Sequence, residues 1–148
     1  MRSYQEKALN IMCSNGVARS GIIVLPCGAG KTLVGILAIC TIKRNTIIIC
    51  NNNVSVQQWY REINNWVSIK GDKDKNFICR FTSSASQRDP FWNFSKEAGI
   101  VITSYTMISY NGKRNKEVQE CLDKLQKVDW GLMIIDEVQL LPADTFIL

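Results

Sequence analysis

An apolar run, Ile22 to Leu25, gives way to Gly28-Ala29-Gly30-Lys31-Thr32, and an apolar stretch with helical spacing continues from Thr32 to Ile42. A β-branched run, a glycine break and a helix opening on Lys-Thr leave few folds available. The chain must turn tightly behind a strand and start a helix at once, the geometry of a phosphate-cradling loop. Glycines let successive backbone N–H groups turn toward an anion, and the helix N-terminus adds positive potential. Lys31 supplies a point charge for outer phosphates, and the Thr32 hydroxyl is a candidate Mg²⁺ ligand. The loop is Leu25-Pro26-Cys27-Gly28-Ala29-Gly30-Lys31-Thr32, with Leu25 where a first glycine is usual. A flexible glycine turn without ligand would not call for Lys-Thr at this spot.

A second apolar run, Leu132-Met133-Ile134-Ile135, delivers two carboxylates, Asp136 and Glu137. On its own this pair is often just a solvated strand end. Beside Gly-Lys-Thr after another strand it completes a nucleotide and metal site. Asp136 is placed to hold the metal, directly or through water, and Glu137 to orient or deprotonate an attacking water.

Between these motifs helical and strand patterns alternate. Ser3-x-x-Glu6 has the form of a capping box, with Ala8, Leu9, Ile11 and Met12 behind it. Ile22 to Leu25, Ile47 to Cys50, Phe77 to Phe81, Ile100 to Thr103 and Leu132 to Ile135 have strand character. Ser55 to Gln58 has capping-box form for a helix through Trp66, and Lys116 to Lys127 is amphipathic with Val118, Cys121, Leu122 and Leu125 inward. Trp59 and Trp66, seven apart, are expected in the core. Apolar strands separated by helices predict an α/β fold, a parallel sheet with helices on both faces and ligands at the carboxyl ends of its strands. The segment from Gly71 to Gly99 is expected to be a surface excursion.

Composition narrows the class further. With 46% hydrophobic and 21% charged residues the 148-residue chain is an ordinary globular domain. Its apolar runs are too short to span a membrane, and Met1 to Glu6 opens no signal peptide. A net charge of +5 suits a polyanion partner but also many proteins without one. The clusters Lys70, Lys73, Lys75 and Lys113, Arg114, Lys116 are expected to be solvated loops. Six cysteines without a CxxC pair, in a chain with no histidine, are expected to be reduced, mostly buried residues of an intracellular protein.

The chain resembles the first RecA-like lobe of superfamily 2 helicases, and within them the XPB family, the DNA translocase subunit of general transcription factor IIH. The words that carry the resemblance are Arg2-x-Tyr4-Gln5, Leu25-Pro26-Cys27-Gly28-Ala29-Gly30-Lys31, Val54-Ser55-Val56-Gln57-Gln58-Trp59, Cys79-Arg80-Phe81-Thr82-Ser83 and Trp130-Gly131-Leu132-Met133-Ile134-Ile135-Asp136-Glu137-Val138. They cover nearly the whole chain, and Leu25 at the first loop position is also that family's habit. The resemblance implies a RecA-like P-loop NTPase domain that uses ATP and Mg²⁺. The complete protein is then expected to be an ATP-dependent DNA helicase or translocase of the nucleus, opening DNA in transcription initiation and nucleotide excision repair. DNA, a second RecA-like lobe and other factor IIH subunits are its implied partners.

The resemblance also implies site roles. Arg2 and Gln5 join Pro26, Cys27, Gly28, Ala29, Gly30, Lys31 and Thr32 in binding the nucleotide, with Gln5 at the adenine edge. Asn53, Ser55, Thr103, Ser104 and Tyr105 meet the nucleic-acid backbone. Such residues are equally favoured simply as caps at strand and helix ends, and Gln5 is equally a surface residue of the first helical turn. Lys31, Glu137 and Gln139 are the catalytic candidates. Gln139 stands where the family usually carries His, at the position expected to link the nucleotide site to the nucleic acid and the other lobe; Gln can hydrogen-bond there but cannot carry a proton charge.

The ending at Leu148 comes before the family's Ser/Thr-Ala-Thr segment and second lobe, so residues 1–148 are expected to form the N-terminal lobe alone. Without the second lobe's arginine finger, which contributes about 10³–10⁵ in rate, the isolated chain is expected to be a weak ATPase. A truncated nucleotide-binding or interaction module is the alternative, and an RNA helicase of the same superfamily a third reading.

Overall fold

The computed structural model describes residues 3–14, 18–26, 28–67, 77–84, 98–110 and 115–140. Arg2, Cys27, the lysines at 70–75, Lys113, Arg114 and most of the 71–99 excursion lie outside the described residues. The elements are α1 (Ser3–Met12), α2 (Lys31–Ile42), β1 (Thr46–Cys50), α3 (Asn53–Trp66), β2 (Ile78–Phe81), β3 (Ile100–Ser104), α4 (Tyr105–Ser109), α5 (Lys116–Gln126) and β4 (Leu132–Ile135), then a 3-10 turn at Val138–Leu140.

The strands form one all-parallel sheet in the order β2-β3-β1-β4. In β1 and β3 every residue is buried, as expected for strands covered on both faces. Alternation then sorts the side chains. Ile48, Cys50, Ile78, Ile100, Ile102 and Ile134 face α2 and α3, meeting Ile36 and Ile39 of the first and Val56, Trp59 and Ile63 of the second. Cys79, Phe81 and Val101 point the other way, onto Met107 of α4 and Leu122 and Leu125 of α5. Ile47 and Ile49 meet Tyr105 of α4 on that same side. The expected two-faced α/β architecture is therefore present, and it matches a RecA-like domain. Ile48 is wholly buried at the centre of the sheet. Its truncation to alanine removes about 2–5 kcal/mol.

One expected strand is absent from the ladder. Residues 18–26 are not in the sheet, and Ile22 and Val24 are 76% and 87% exposed. Their β-branched composition expresses a preference for an extended backbone, but a strand also needs a partner's N–H and C=O groups. Among the described residues, β4 pairs only with β1 and forms that edge of the sheet.

Two local expectations also shift. Asn52, rather than Ser55, caps α3: its side chain accepts the Ser55 N–H at 2.9 Å, so the helix starts at Asn53 and not at a Ser55 capping box. Trp66 is 62% exposed instead of in the core. The inward series Val56, Trp59, Ile63 continues to Val67, one residue further on, and Trp66 donates to Glu62 on the outer surface at 2.9 Å.

Candidate nucleotide site

The loop ahead of α2 takes its shape from two glycines in the left-handed region, Gly28 at φ 76° and Gly30 at φ 84°. Left-handed backbone is easy only for residues without a Cβ. A Cβ at Gly30 would also stand 2.5 Å from Gln5 Nε2 and displace that amide from its place. Gly30 caps α2 without any side-chain bond to the helix N–H groups, so the first turn, beginning at Lys31, presents backbone donors as an anion site does. The loop is fastened from behind by α1. Tyr4 Oη and Gln5 Nε2 both donate to the Ala29 carbonyl, at 2.8 and 3.1 Å. Gln5 is only 3% exposed, which corrects its reading as a surface residue of the first turn.

At the end of β4 the chain makes a second constrained turn. The Asp136 N–H donates to Ile49 O at 2.9 Å, carrying the ladder one step past the strand. Glu137 then adopts a left-handed φ of 54°. This turn brings the Glu137 carboxylate to Lys31, whose Nζ lies 2.7 Å from Oε1, and Gln139 Nε2 donates to the other oxygen. The hydrogen bonds from Lys31 and Gln139, together with the Lys31 charge, hold the Glu137 carboxyl below its ordinary range. Both members of the pair are about one-third exposed. A partly solvated pair of this kind contributes little stability and is readily exchanged for a stronger anion.

Asp136 is gripped from both faces of the sheet. Trp59 Nε1 of α3 donates to Oδ2 at 3.0 Å, and Tyr105 Oη of α4 donates to the main-chain carbonyl at 2.7 Å. Burial first, and the Asp136 charge second, push the Cys50 thiol and the Tyr105 phenol up to about 12.

The loop and the acidic turn therefore meet through Lys31 and Glu137, and Thr32 and Asp136 are their sequence neighbours. The donor set suits a nucleotide with Mg²⁺. Among the described residues no three His, Cys, Asp or Glu side chains gather into a protein cage. Mg²⁺ bound with a nucleotide asks for no cage, because one or two protein oxygens suffice when phosphates and water complete its shell. The paired left-handed glycines and the uncapped start of α2 have the geometry that a phosphate cradle requires. A separate groove of about 800 Å³ lies between α1 and the following segment, lined by Glu6, Lys7, Ile11, Arg19 and Ile22 among others. It contains no residue of the phosphate loop.

The residues implied as nucleic-acid contacts divide into two groups. Asn53 and Ser55 are half-buried at the start of α3. Thr103 and Ser104 are 0% and 1% exposed, and Tyr105 is buried with its hydroxyl donating to the Asp136 carbonyl. Ser104 Oγ pairs with Thr106 Oγ1 at 3.0 Å. All three end or follow β3, a central strand packed on both faces. Sequence reasoning also missed three working residues, Tyr4, Asn52 and Trp59. For Trp59 a signal existed, since a buried indole N–H needs an acceptor.

A family model described as "Type III restriction enzyme, res subunit" matches residues 1–146. The chain belongs to this family. Its similarity to XPB subunits covers the same length, and the resemblance drawn from the Arg2, Leu25, Val54, Cys79 and Trp130 words stands. It is 47% identical over 146 residues to the general transcription and DNA repair factor IIH helicase/translocase subunit XPB of Antonospora locustae, which covers 99% of this chain and 20% of that protein. It is 46% identical over 145 residues to subunit XPB2 of Arabidopsis thaliana, covering 98% and 18%. With XPB of Drosophila melanogaster the identity is 44% over 146 residues, covering 99% and 17%. The chain thus spans about a fifth of the length of these relatives. Among the described residues no helix is long and apolar enough to cross a membrane.

Proposed function

We propose that this chain is the ATP- and Mg²⁺-binding lobe of an ATP-driven DNA translocase that opens DNA in transcription initiation and nucleotide excision repair. The observation that carries the proposal is the Lys31–Glu137 pair, which joins the start of α2 to the acidic turn across 106 positions of sequence. The XPB relatives, named as helicase/translocase subunits of a transcription and DNA repair factor, support the substrate and a nuclear setting. A second RecA-like lobe and other subunits of such a factor are the proposed partners.

The residues divide the work as follows. Backbone N–H groups from Gly28 to Thr32 hold the phosphates; Pro26 and Cys27, with Gln5 and Arg2 at the adenine, are the further proposed nucleotide-binding residues. Thr32 and Asp136 hold the metal. When bound, the Mg²⁺ nucleotide supplies an electrophilic phosphorus and neutralises its developing charge. Lys31 leaves Glu137 for the outer phosphates, which frees the Glu137 carboxylate to orient a water molecule and accept its proton. Gln139, which hydrogen-bonds Glu137, is the proposed link from that exchange to nucleic acid bound at Asn53 and Ser55.

The test is titration of a fluorescent ATP analogue with Mg²⁺ into the purified chain, beside Lys31→Ala and Asp136→Ala. Saturable binding that Lys31→Ala weakens and Asp136→Ala makes insensitive to Mg²⁺ is expected. A folded wild-type chain that binds nothing would overturn the proposal.

A further inference from the structure

Trp59 does more than fill the core between α2 and α3. Its indole is held tightly on one side by Gly35 of α2, where a Cβ would come within 2.5 Å of the ring carbon Cη2. Glycine at this helical position leaves a slot for the ring, and the residue is only 4% exposed. From that slot the N–H donates to Asp136 Oδ2 at 3.0 Å. A packed, donor-only ring with no room to turn is a rigid arm, and here the arm ends on a carboxylate.

We propose that Trp59 is a positioning residue for the metal site: its indole N–H fixes Asp136 in one orientation by engaging Oδ2 and leaves Oδ1 as the ligand for the divalent cation. The inference rests on the nucleotide-binding reading above and adds a residue to it. Three independent restraints hold Asp136. The Ile49 carbonyl takes its N–H, the Tyr105 hydroxyl holds its carbonyl from the opposite face, and among the described residues only Trp59 acts on the carboxylate itself. The first two place the backbone, and neither sets the side-chain rotamer. Partners outside the ligand shell that orient a ligand in this way typically change metal affinity by about 10–100-fold when removed.

The experiment replaces Trp59 with 3-benzothienylalanine, an isostere that keeps the bicyclic shape and lacks the N–H. Trp59→Phe serves as a second variant that also lacks it. Affinity for a fluorescent ATP analogue is measured in EDTA and in Mg²⁺, and the ratio of the two gives the contribution of the cation. In both variants the ratio should fall about tenfold toward one while the affinity in EDTA stays at the wild-type value. Equal losses in EDTA and in Mg²⁺ would mean a merely structural role and would overturn the inference. So would a ratio unchanged in the isostere. A wild-type chain that binds no nucleotide would instead overturn the underlying functional proposal, so the two failures are distinguishable.

Discussion

Lys31 and Glu137 neutralise each other at 2.7 Å, so the phosphate loop's cation is already engaged by the carboxylate expected to handle water. A nucleotide phosphate must displace that carboxylate to reach Lys31. Glu137→Gln removes the competitor, and binding of an ATP analogue should tighten by about two- to fivefold, the range of a partly solvated ion pair. Titration calorimetry on both proteins checks this; weaker binding by the variant would show that the pair does not compete.

The same pair makes a signed statement about pH. Glu137 has a folded value depressed below its ordinary one near 4.5, so its stabilising effect is complete above that value. It is lost as the pH falls through the depressed folded value. Denaturant midpoints measured downward from pH 6 should therefore fall more steeply for wild type than for Glu137→Gln. Parallel profiles would count against the pairing.

Gly30→Ala should be costly for two separable reasons. Left-handed backbone costs a non-glycine residue roughly 1–2 kcal/mol, and the new Cβ also meets Gln5 Nε2. The second cost depends on Gln5 being present. In a double-mutant cycle with Gln5→Ala, the combined loss of stability should be smaller than the sum of the single losses. Strict additivity of the denaturation energies would refute the contact.

Tyr105 is expected to behave as an anchor of the acidic turn. Tyr105→Phe leaves the Asp136 carbonyl without its phenol donor, and stability should drop by about 1 kcal/mol in thermal melts. Burial, and then the Asp136 charge, push its phenol up from 10.0 to about 12, so the neutral form's contribution is present below pH 10 and lost as the pH rises through the folded value. Absorbance of tyrosinate against pH should accordingly lose its latest-titrating component in the variant.

Cysteine labelling reports the packing of the sheet directly. Cys40 is exposed, whereas Cys50 is fully buried with its thiol pushed up to about 12. Thiolate is the reactive form, so iodoacetamide at neutral pH should modify Cys40 long before Cys50. Peptide mass spectrometry resolves the order, and early labelling of Cys50 would contradict the buried strand.

Much of this molecule could be read in its amino-acid order, for identifiable reasons. Local signals carried the α2 start at Lys31, the strand from Leu132 to Ile135 and the inward set Leu122 and Leu125, because periodicity and glycine chemistry are properties of short windows. What escaped depended on distant partners. The run Ile22 to Leu25 has strand composition, yet its state depends on whether another backbone pairs with it. The hydrogen bond from the Tyr105 hydroxyl to the Asp136 carbonyl spans 31 residues and leaves no mark in either local sequence. Asn52 outcompeted Ser55 as a cap, a choice between two good candidates that no rule of spacing settles.

The left-handed backbone at Glu137 has a consequence for anyone trying to make this chain more robust. An engineer scanning for strained positions would choose Glu137→Gly early, expecting about 1–2 kcal/mol of relief from a residue that resists φ 54°. The thermal screen would reward that choice, and the product would lack the Glu137 carboxylate that meets Lys31. At this position heat tolerance and working chemistry are opposing objectives, and optimisation on melting temperature alone would select against the residue that the site is built to present.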